Sequence, residues 1–289
     1  MAAKILQGEE IATRILEHLK SKVVDKQLKL AVVQVGKNAV SETYIHKKEE
    51  VALELGIGFE LHKLAQEISQ TEIKNSVAAI GKDKKVSGLI VQLPLPQHIN
   101  QQEVLDEIPL EKDVDVLSSK ALGLFSQGAL PWLPPTVKAV SLLLKEAKVH
   151  LKGARVLVIG AGRLVGLPLS LWLLREGATL TIANKATTNL SSLTKQADII
   201  ISGVGKAGLI TGAMVKKGAV IIDAGTSVSE NVRRQASNIS RINRIEGDVD
   251  FKSVSKKARF LSPVPGGVGP LTVACLFENL VTLNGIVSI

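Results

Sequence analysis

The sequence predicts a doubly wound α/β protein in two domains, on three observations. Short apolar runs recur along the chain, among them KLAVVQV at Lys29 to Val35 and RVLVI at Arg155 to Ile159. Each is followed by apolar residues at helical spacing, and this alternation builds a parallel sheet covered by helices. Six of the ten prolines crowd into the stretch from Pro94 to Pro135, which separates a first series of such units from a second.

Taken in order, Ile11, Ile15, Leu16 and Leu19 recur as one face of a helix that leads into the strand at Lys29. A helix over about 41–55, a strand near 59–64, a helix over about 70–81 and the strand GLIVQL at 88–93 complete the first series. The proline-rich stretch reads as loops, short helices and a domain crossing. A helix starts near Thr136, and strands follow at Arg155 to Ile159, Thr179 to Ala183, 198–202 and 219–223, with a helix after the first and shorter ones later. The last segment, 270–283, is apolar and helical. Two α/β halves usually place a ligand in the cleft that separates them.

Composition narrows the function. The chain has 289 residues, 45% hydrophobic and 22% charged, which excludes disordered, collagen-like and disulfide-scaffold classes. Thirty-six basic against 27 acidic residues give +9, so anionic partners are expected. Aromatic residues make up 3% and Tyr44 is the single tyrosine, so base stacking is a poor expectation and a small anionic ligand suits the chain at least as well as nucleic acid. One cysteine, Cys275, permits no internal disulfide, and the five histidines lack metal-ligand spacing. With no signal-like N-terminus and no apolar run of about 20 residues, a cytoplasmic protein without a membrane partner is expected.

The segment VLVIGAGRLVGLP, Val156 to Pro168, carries chemistry. A buried strand runs into a glycine-rich turn and then an apolar helix, the context of a dinucleotide fold. Gly160 permits the tight turn, Gly162 admits a pyrophosphate to the backbone, and Gly166 allows close helix packing. The spacing is one residue longer than the usual fingerprint, and a purely structural strand-to-helix turn is the competing reading. The next strand ends at Ala183-Asn184-Lys185, with no acidic side chain for a ribose hydroxyl pair. Lys185, with Arg163, suits a 2′-phosphate, which favours NADP and leaves NAD open; both cations also read as solvated surface residues.

Further segments are unusual for a generic α/β chain: Val35-Gly36 with Ser41, Tyr44 and Lys48; VQLPLP at Val91 to Pro96; EKDVD at Glu111 to Asp115; GDVDF at Gly247 to Phe251; and SPVPGGVGPLT at Ser262 to Thr272. With the turn at Gly160 they span nearly the whole chain in order. The chain thereby resembles the bifunctional methylenetetrahydrofolate dehydrogenase/methenyltetrahydrofolate cyclohydrolase family. The resemblance implies a folate-binding catalytic domain over 1–136, completed by a C-terminal helix at 270–289, and a Rossmann-like NAD(P)-binding domain over 137–269, with the active site in the cleft. It implies oxidation of 5,10-methylenetetrahydrofolate with NADP, hydrolysis to 10-formyltetrahydrofolate, and a homodimer.

Residue by residue, Lys48 matches the catalytic lysine, four positions after Tyr44 and so on one helix face with it. Alone, Lys48 would read as solvated within His46-Lys47-Lys48. Tyr44 matches the residue that stacks on the folate's aminobenzoyl ring, Gln92 the one that orients the lysine, and Asp115 the pterin-binding carboxylate. Leu93, Pro265, Gly266 and Gly267 complete the implied folate contacts. Gly160, Ala161, Gly162, Arg163, Val165, Gly166, Asn184, Lys185, Val204 and Gly205 are the implied cofactor contacts.

The departures from the family pattern cluster. Val116 stands where a Gly is common, Ala121 where an Asn is, Pro131-Trp132-Leu133-Pro134 where Pro-Cys-Thr-Pro is, Gly160-Ala161-Gly162 where Gly-Arg-Ser is, and Asn184-Lys185 where His-Ser is. The lost Arg at Ala161 removes a cation for the 2′-phosphate. A cyclohydrolase with weak or lost dehydrogenase activity is therefore the alternative.

Overall fold

The protein, a computed structural model, is described over residues 2–235 and 238–287, with the side chains of 39–40 and 228–244 outside the description. It divides into two compact units, Met1–Ile11 with Ala139–Leu271 and Ala12–Lys138 with Thr272–Ile289.

The elements of the first half of the chain are β1 (Lys4–Ile5), α1 (Gly8–Lys22), β2 (Lys29–Val35), α2 (Ala39–Leu55), β3 (Gly58–Leu64), α3 (Gln70–Lys82), β4 (Gly88–Val91), α4 (Gln101–Leu105), α5 (Ser119–Ser126) and α6 (Pro135–Glu146), with one 3-10 turn at Leu110–Lys112. β2, β3 and β4 form a parallel sheet in the order β3-β2-β4. The central strand is buried on both faces, which is why it reads as a continuous apolar run. Leu30 and Val32 face a core built with Ile45, Ala52, Leu276, Phe277 and Leu280. Ala31, Val33 and Val35 face Ile73, Val77, Leu89 and Val91. Each fully buried aliphatic chain of this kind stabilises the fold by about 1.5–3 kcal/mol.

The rest of the chain supplies β5 (Arg155–Ile159), α7 (Gly166–Arg175), β6 (Thr179–Ala183), α8 (Leu190–Gln196), β7 (Ile199–Ser202), β8 (Val220–Asp223), β9 (Ser227–Gln235), β10 (Asn238–Glu246), α9 (Phe251–Val254), β11 (Phe260–Leu261) and α10 (Val268–Leu283). Its sheet is parallel throughout, in the order β1-β11-β8-β7-β5-β6.

Several differences from the sequence reading have local causes. α2 starts at Ala39 because the Asn38 side chain accepts from the Ser41 amide at 3.0 Å, capping the helix. β4 ends at Val91 instead of Leu93, although the Gln92 amide still donates to the Val33 carbonyl at 2.8 Å. β1 and β11 are two residues each, too short to leave a pattern. β9 and β10 pair antiparallel, from Asn238↔Gln235 to Glu246↔Ser227, an exception to the all-parallel expectation. Their sequences, SVSENVRRQ and NISRINRIE, are polar and lack the apolar run that marks a buried strand. Residues 288–289 of the expected C-terminal helix lie outside the described residues. Among the described residues no helix is long and apolar enough to cross a membrane, and no His/Cys/Asp/Glu group is arranged to hold a metal ion.

Candidate active site

In the three-stranded sheet the chain leaves β2 on one side to reach β3 and returns past β2 to β4, so the switch point lies at the carboxyl ends of β2 and β4, where open α/β sheets bind ligands. α2 springs from the end of β2, and Gln92 directly follows β4. Along α2 the buried positions are Ser41, Ile45, Lys48, Ala52 and Leu55, a helical stripe at intervals of three and four. Lys48 is thus on the inward face, 7% exposed, while its neighbours His46 and Lys47 are exposed.

Lys48 Nζ donates to Gln92 Oε1 at 2.8 Å. The Gln92 amide nitrogen in turn donates to the Leu93 carbonyl at 3.0 Å, which also accepts from Ser41 Oγ at 3.1 Å. Gln92 is therefore oriented with its oxygen towards the lysine. Burial pushes the Lys48 amine below the ordinary lysine range, and the negative charge of Asp115 opposes that shift. Asp115 is half-buried, and burial raises its carboxyl while Lys48 lowers it. Burial thus makes the Lys48 amine easier to deprotonate than an exposed lysine. Tyr44 is half-buried one turn before it on α2.

Asp115 sits in a loop built by a second acid that the sequence reading did not single out. Asp113 is fully buried and accepts from the amides of Leu117 at 3.1 Å and Ser118 at 2.8 Å. Val116, where the family pattern has glycine, takes a φ of 59° and is buried. A left-handed β-branched residue is strained, which shows how firmly the surrounding hydrogen bonds dictate the loop. Asn279 of α10 donates to the carbonyls of Val114 at 3.0 Å and Leu133 at 2.9 Å, tying the loop from its other side. Neutralising Asp115 by Asp115→Asn removes the charge that favours the Lys48 ammonium. The limb of the kcat profile governed by Lys48 is expected to move to lower pH, read at saturating substrate; an unmoved limb would show that the two are uncoupled.

In the six-stranded sheet the chain moves from β5 out to β6 and back to β7, so its switch point lies where β5 and β7 end. Gly160 there has φ 96°, and a Cβ on it would lie 2.7 Å from the Gly203 carbonyl oxygen, so the two turns touch. Gly166 opens α7, and a Cβ on it would overlap the Gly160 carbonyl oxygen at 1.7 Å. A Cβ on Gly162 would meet open space, so the turn presents bare backbone outward. Ala161 is exposed, and Arg163 and Val165 are half-buried. Asn184 and Lys185 are exposed after β6, and the Asn184 side chain accepts from the Ala186 amide at 2.9 Å, which fixes the turn.

The turn holding Val204 and Gly205 is fixed by Asp248, fully buried, which accepts from Ser202 Oγ at 2.6 Å, the Val204 amide at 2.7 Å and the Lys206 amide at 2.7 Å. Asp223 accepts from the amides of Asp248 at 3.1 Å and Val249 at 2.9 Å. Burial pushes Asp223 up to about 6, with the Asp248 charge adding to it. The signal for Asp248 is the acidic GDVDF motif at Gly247 to Phe251; Asp223 ends β8 and carries no such mark. Asp248→Asn turns an amide NH2 towards an N–H donor and is expected to cost about 1–3 kcal/mol in urea denaturation, with a raised KM for the nucleotide.

Pro265, Gly266 and Gly267 lie in this same unit, where the Gly266 carbonyl accepts from the amides of Gly8 at 2.9 Å and Glu9 at 3.2 Å. Tyr44, Lys48, Gln92, Leu93 and Asp115 all lie in the other. The single cysteine, Cys275, is buried, and burial pushes its thiol up to about 12.

Fold and sites together define an α/β enzyme with a Rossmann-like unit and a separate unit carrying a buried, oriented lysine. Residues 6–115 match the tetrahydrofolate dehydrogenase/cyclohydrolase catalytic domain, and residues 134–286 match the NAD(P)-binding domain of the same family. The chain belongs to the tetrahydrofolate dehydrogenase/cyclohydrolase family. It is 39% identical over 286 residues to the bifunctional protein FolD of Thermodesulfovibrio yellowstonii, covering 97% of this chain and 96% of that one. Among solved structures it is similar to the bifunctional FolD of Campylobacter jejuni, with a TM-score of 0.87, 37% identity and coverage of 98% and 99% of the two chains. The Trypanosoma brucei enzyme, solved with NADP cofactor and an inhibitor, gives a TM-score of 0.91, 31% identity and coverage of 98% and 97%.

Proposed function

We propose that this protein oxidises 5,10-methylenetetrahydrofolate to the 5,10-methenyl cation with NADP and hydrolyses that cation to 10-formyltetrahydrofolate. The observation that carries the reading is the buried Lys48 amine held on Gln92 at 2.8 Å, with Asp115 as its charge partner. Bound at the Gly160–Gly166 turn, NADP supplies the hydride acceptor. The chain's part in the oxidation is alignment of the reacting atoms.

Hydrolysis asks more of the side chains. Water adds to the bridge carbon and loses one proton to the Lys48 amine; the ammonium returns a proton to the ring nitrogen as its bond to that carbon breaks, and the remaining hydroxyl proton leaves to solvent as the formyl C=O forms. Gln92 keeps the amine aimed. Asp115 accepts from pterin N–H groups, Tyr44 stacks on the aminobenzoyl ring, and Leu93 lines the folate. Pro265, Gly266 and Gly267 are assigned to the folate on the family pattern alone; Pro265 is exposed and the two glycines are buried.

The glycine turn fits a dinucleotide because its outward side is open. We assign the nicotinamide nucleotide to Gly160, Ala161, Gly162, Arg163, Val165, Gly166, Asn184, Lys185, Val204 and Gly205, with Lys185 and Arg163 facing the 2′-phosphate in place of the cation missing at Ala161. In this reading the enzyme is a cytoplasmic homodimer that supplies one-carbon units for purine and amino-acid biosynthesis.

Initial rates with methylenetetrahydrofolate and NADP, alongside methenyl hydrolysis, test both activities. Hydrolysis with no NADP reduction would instead establish the cyclohydrolase-only alternative, which no observation here favours. Lys185→Ala is expected to raise the KM for NADP about tenfold, the loss of one charge-assisted hydrogen bond, while leaving that for NAD unchanged. An unchanged KM for NADP would remove Lys185 from the assignment.

A further inference from the structure

The nucleotide turns occupy the carboxyl edge of the six-stranded sheet; the opposite edge of the same sheet carries a second concentration of charge. A cavity of about 380 Å³ there is lined by Lys195, Lys216, Lys217, Lys256 and Lys257, with Ala213 and Val215. The lysines come from three separate segments: Lys195 lies in the last turn of helix α8 before β7, Lys216 and Lys217 precede β8, and Lys256 and Lys257 precede β11. Because β7, β8 and β11 are successive neighbours in the sheet, about 4.8 Å apart, three segments distant in sequence converge on one opening.

Five ammonium groups around one cavity repel each other unless anions offset them. Lys216 is paired with Asp198, which also accepts from Arg155. Among the described residues no ion pair engages Lys195, Lys217, Lys256 or Lys257. The cavity-lining cations are all lysines. Lysine is a flexible point charge that binds phosphate oxygens without a fixed planar geometry, so several of them can gather on one polyanion. The four- and five-residue strands β7 and β5 separate this edge from the nucleotide turns, a length of about 15 Å, so one ligand phosphate cannot serve both.

We propose that this lysine-lined cavity is a second anion site, which binds a small ligand carrying two or more phosphate groups, distinct from the nucleotide turn. The test uses inorganic triphosphate as probe, titrated by calorimetry into the full-length enzyme already saturated with NADP, so that the nucleotide turn is filled. Saturable binding that weakens as salt rises is expected, with at least a tenfold loss in Lys217→Glu/Lys257→Glu. Lys217→Gln/Lys257→Gln, which adds no negative charge, is expected to weaken binding in the same direction. Both pairs are exposed, and unchanged thermal midpoints without ligand would show that they fold. Absence of triphosphate binding, binding that survives both double variants, or binding only of a long RNA would overturn the proposal. Failure here would leave the folate reading intact, since dehydrogenase and cyclohydrolase rates are measured separately.

Discussion

Lys48→Met is expected to lower the cyclohydrolase kcat by about 10²–10⁴-fold, the usual contribution of a positioned acid–base group. The oxidation of methylenetetrahydrofolate should fall less, because it calls on alignment and on no proton relay through the amine. The same substitution removes an ammonium that burial disfavours and keeps the volume of the stem. The variant is expected to stay folded, its stability lowered by no more than the ~1–3 kcal/mol of leaving the Gln92 oxygen unpaired, since the lost cation is itself disfavoured by burial. Loss of activity with the fold retained is the signature of a catalytic residue. If hydrolysis persisted near the wild-type rate, the assignment of Lys48 would be wrong.

Gly166→Ala should have the second large effect, and in the other unit. The added methyl would lie 1.7 Å from the Gly160 carbonyl oxygen, and the groups around it are backbone with no flexible side chain to yield. Overpacking of this kind costs about 1–3 kcal/mol, and the turn must open to relieve it. NADP binding should fail in calorimetry and dehydrogenase activity with it. Below the variant's melting temperature, hydrolysis of the methenyl compound should continue, because Lys48, Gln92 and Asp115 belong to the other unit. Parallel loss of both activities in a folded variant would mean that the two units do not divide the chemistry as assigned.

The two variants bear on residues whose legibility in the sequence differed. The glycines of the nucleotide turn could be read directly, because each serves a local geometric need between a strand and the helix after it. Lys48 could not be read from its neighbours, since His46-Lys47-Lys48 looks like a solvated basic run. Its burial follows from a longer pattern, the stripe Ser41, Ile45, Lys48, Ala52 and Leu55, in which a lysine occupies a core position of α2. Only the resemblance to a family pointed to Lys48 before that stripe was resolved in space. Asp248 and Asp113 were less visible still. Asp113 works through amides four and five residues on in its own loop, and Asp248 through amides and a hydroxyl more than 40 residues away in sequence.

By itself the sequence determined the order of strands and helices, the parallel character of the two main sheets and the glycine turn. These are set by apolar periodicity and by dihedral preferences that act over a few residues. The polar hairpin of β9 and β10 and the two-residue strands β1 and β11 escaped it, because a pairing partner and not a local pattern makes them strands. Tertiary structure alone decided which charges are buried and which face each other: Lys48 against Gln92 and Asp115, Asp248 beneath the Val204 turn, and five lysines from three segments around one cavity. Charge and burial depend on what the rest of the chain brings near, and no local window of sequence contains that information.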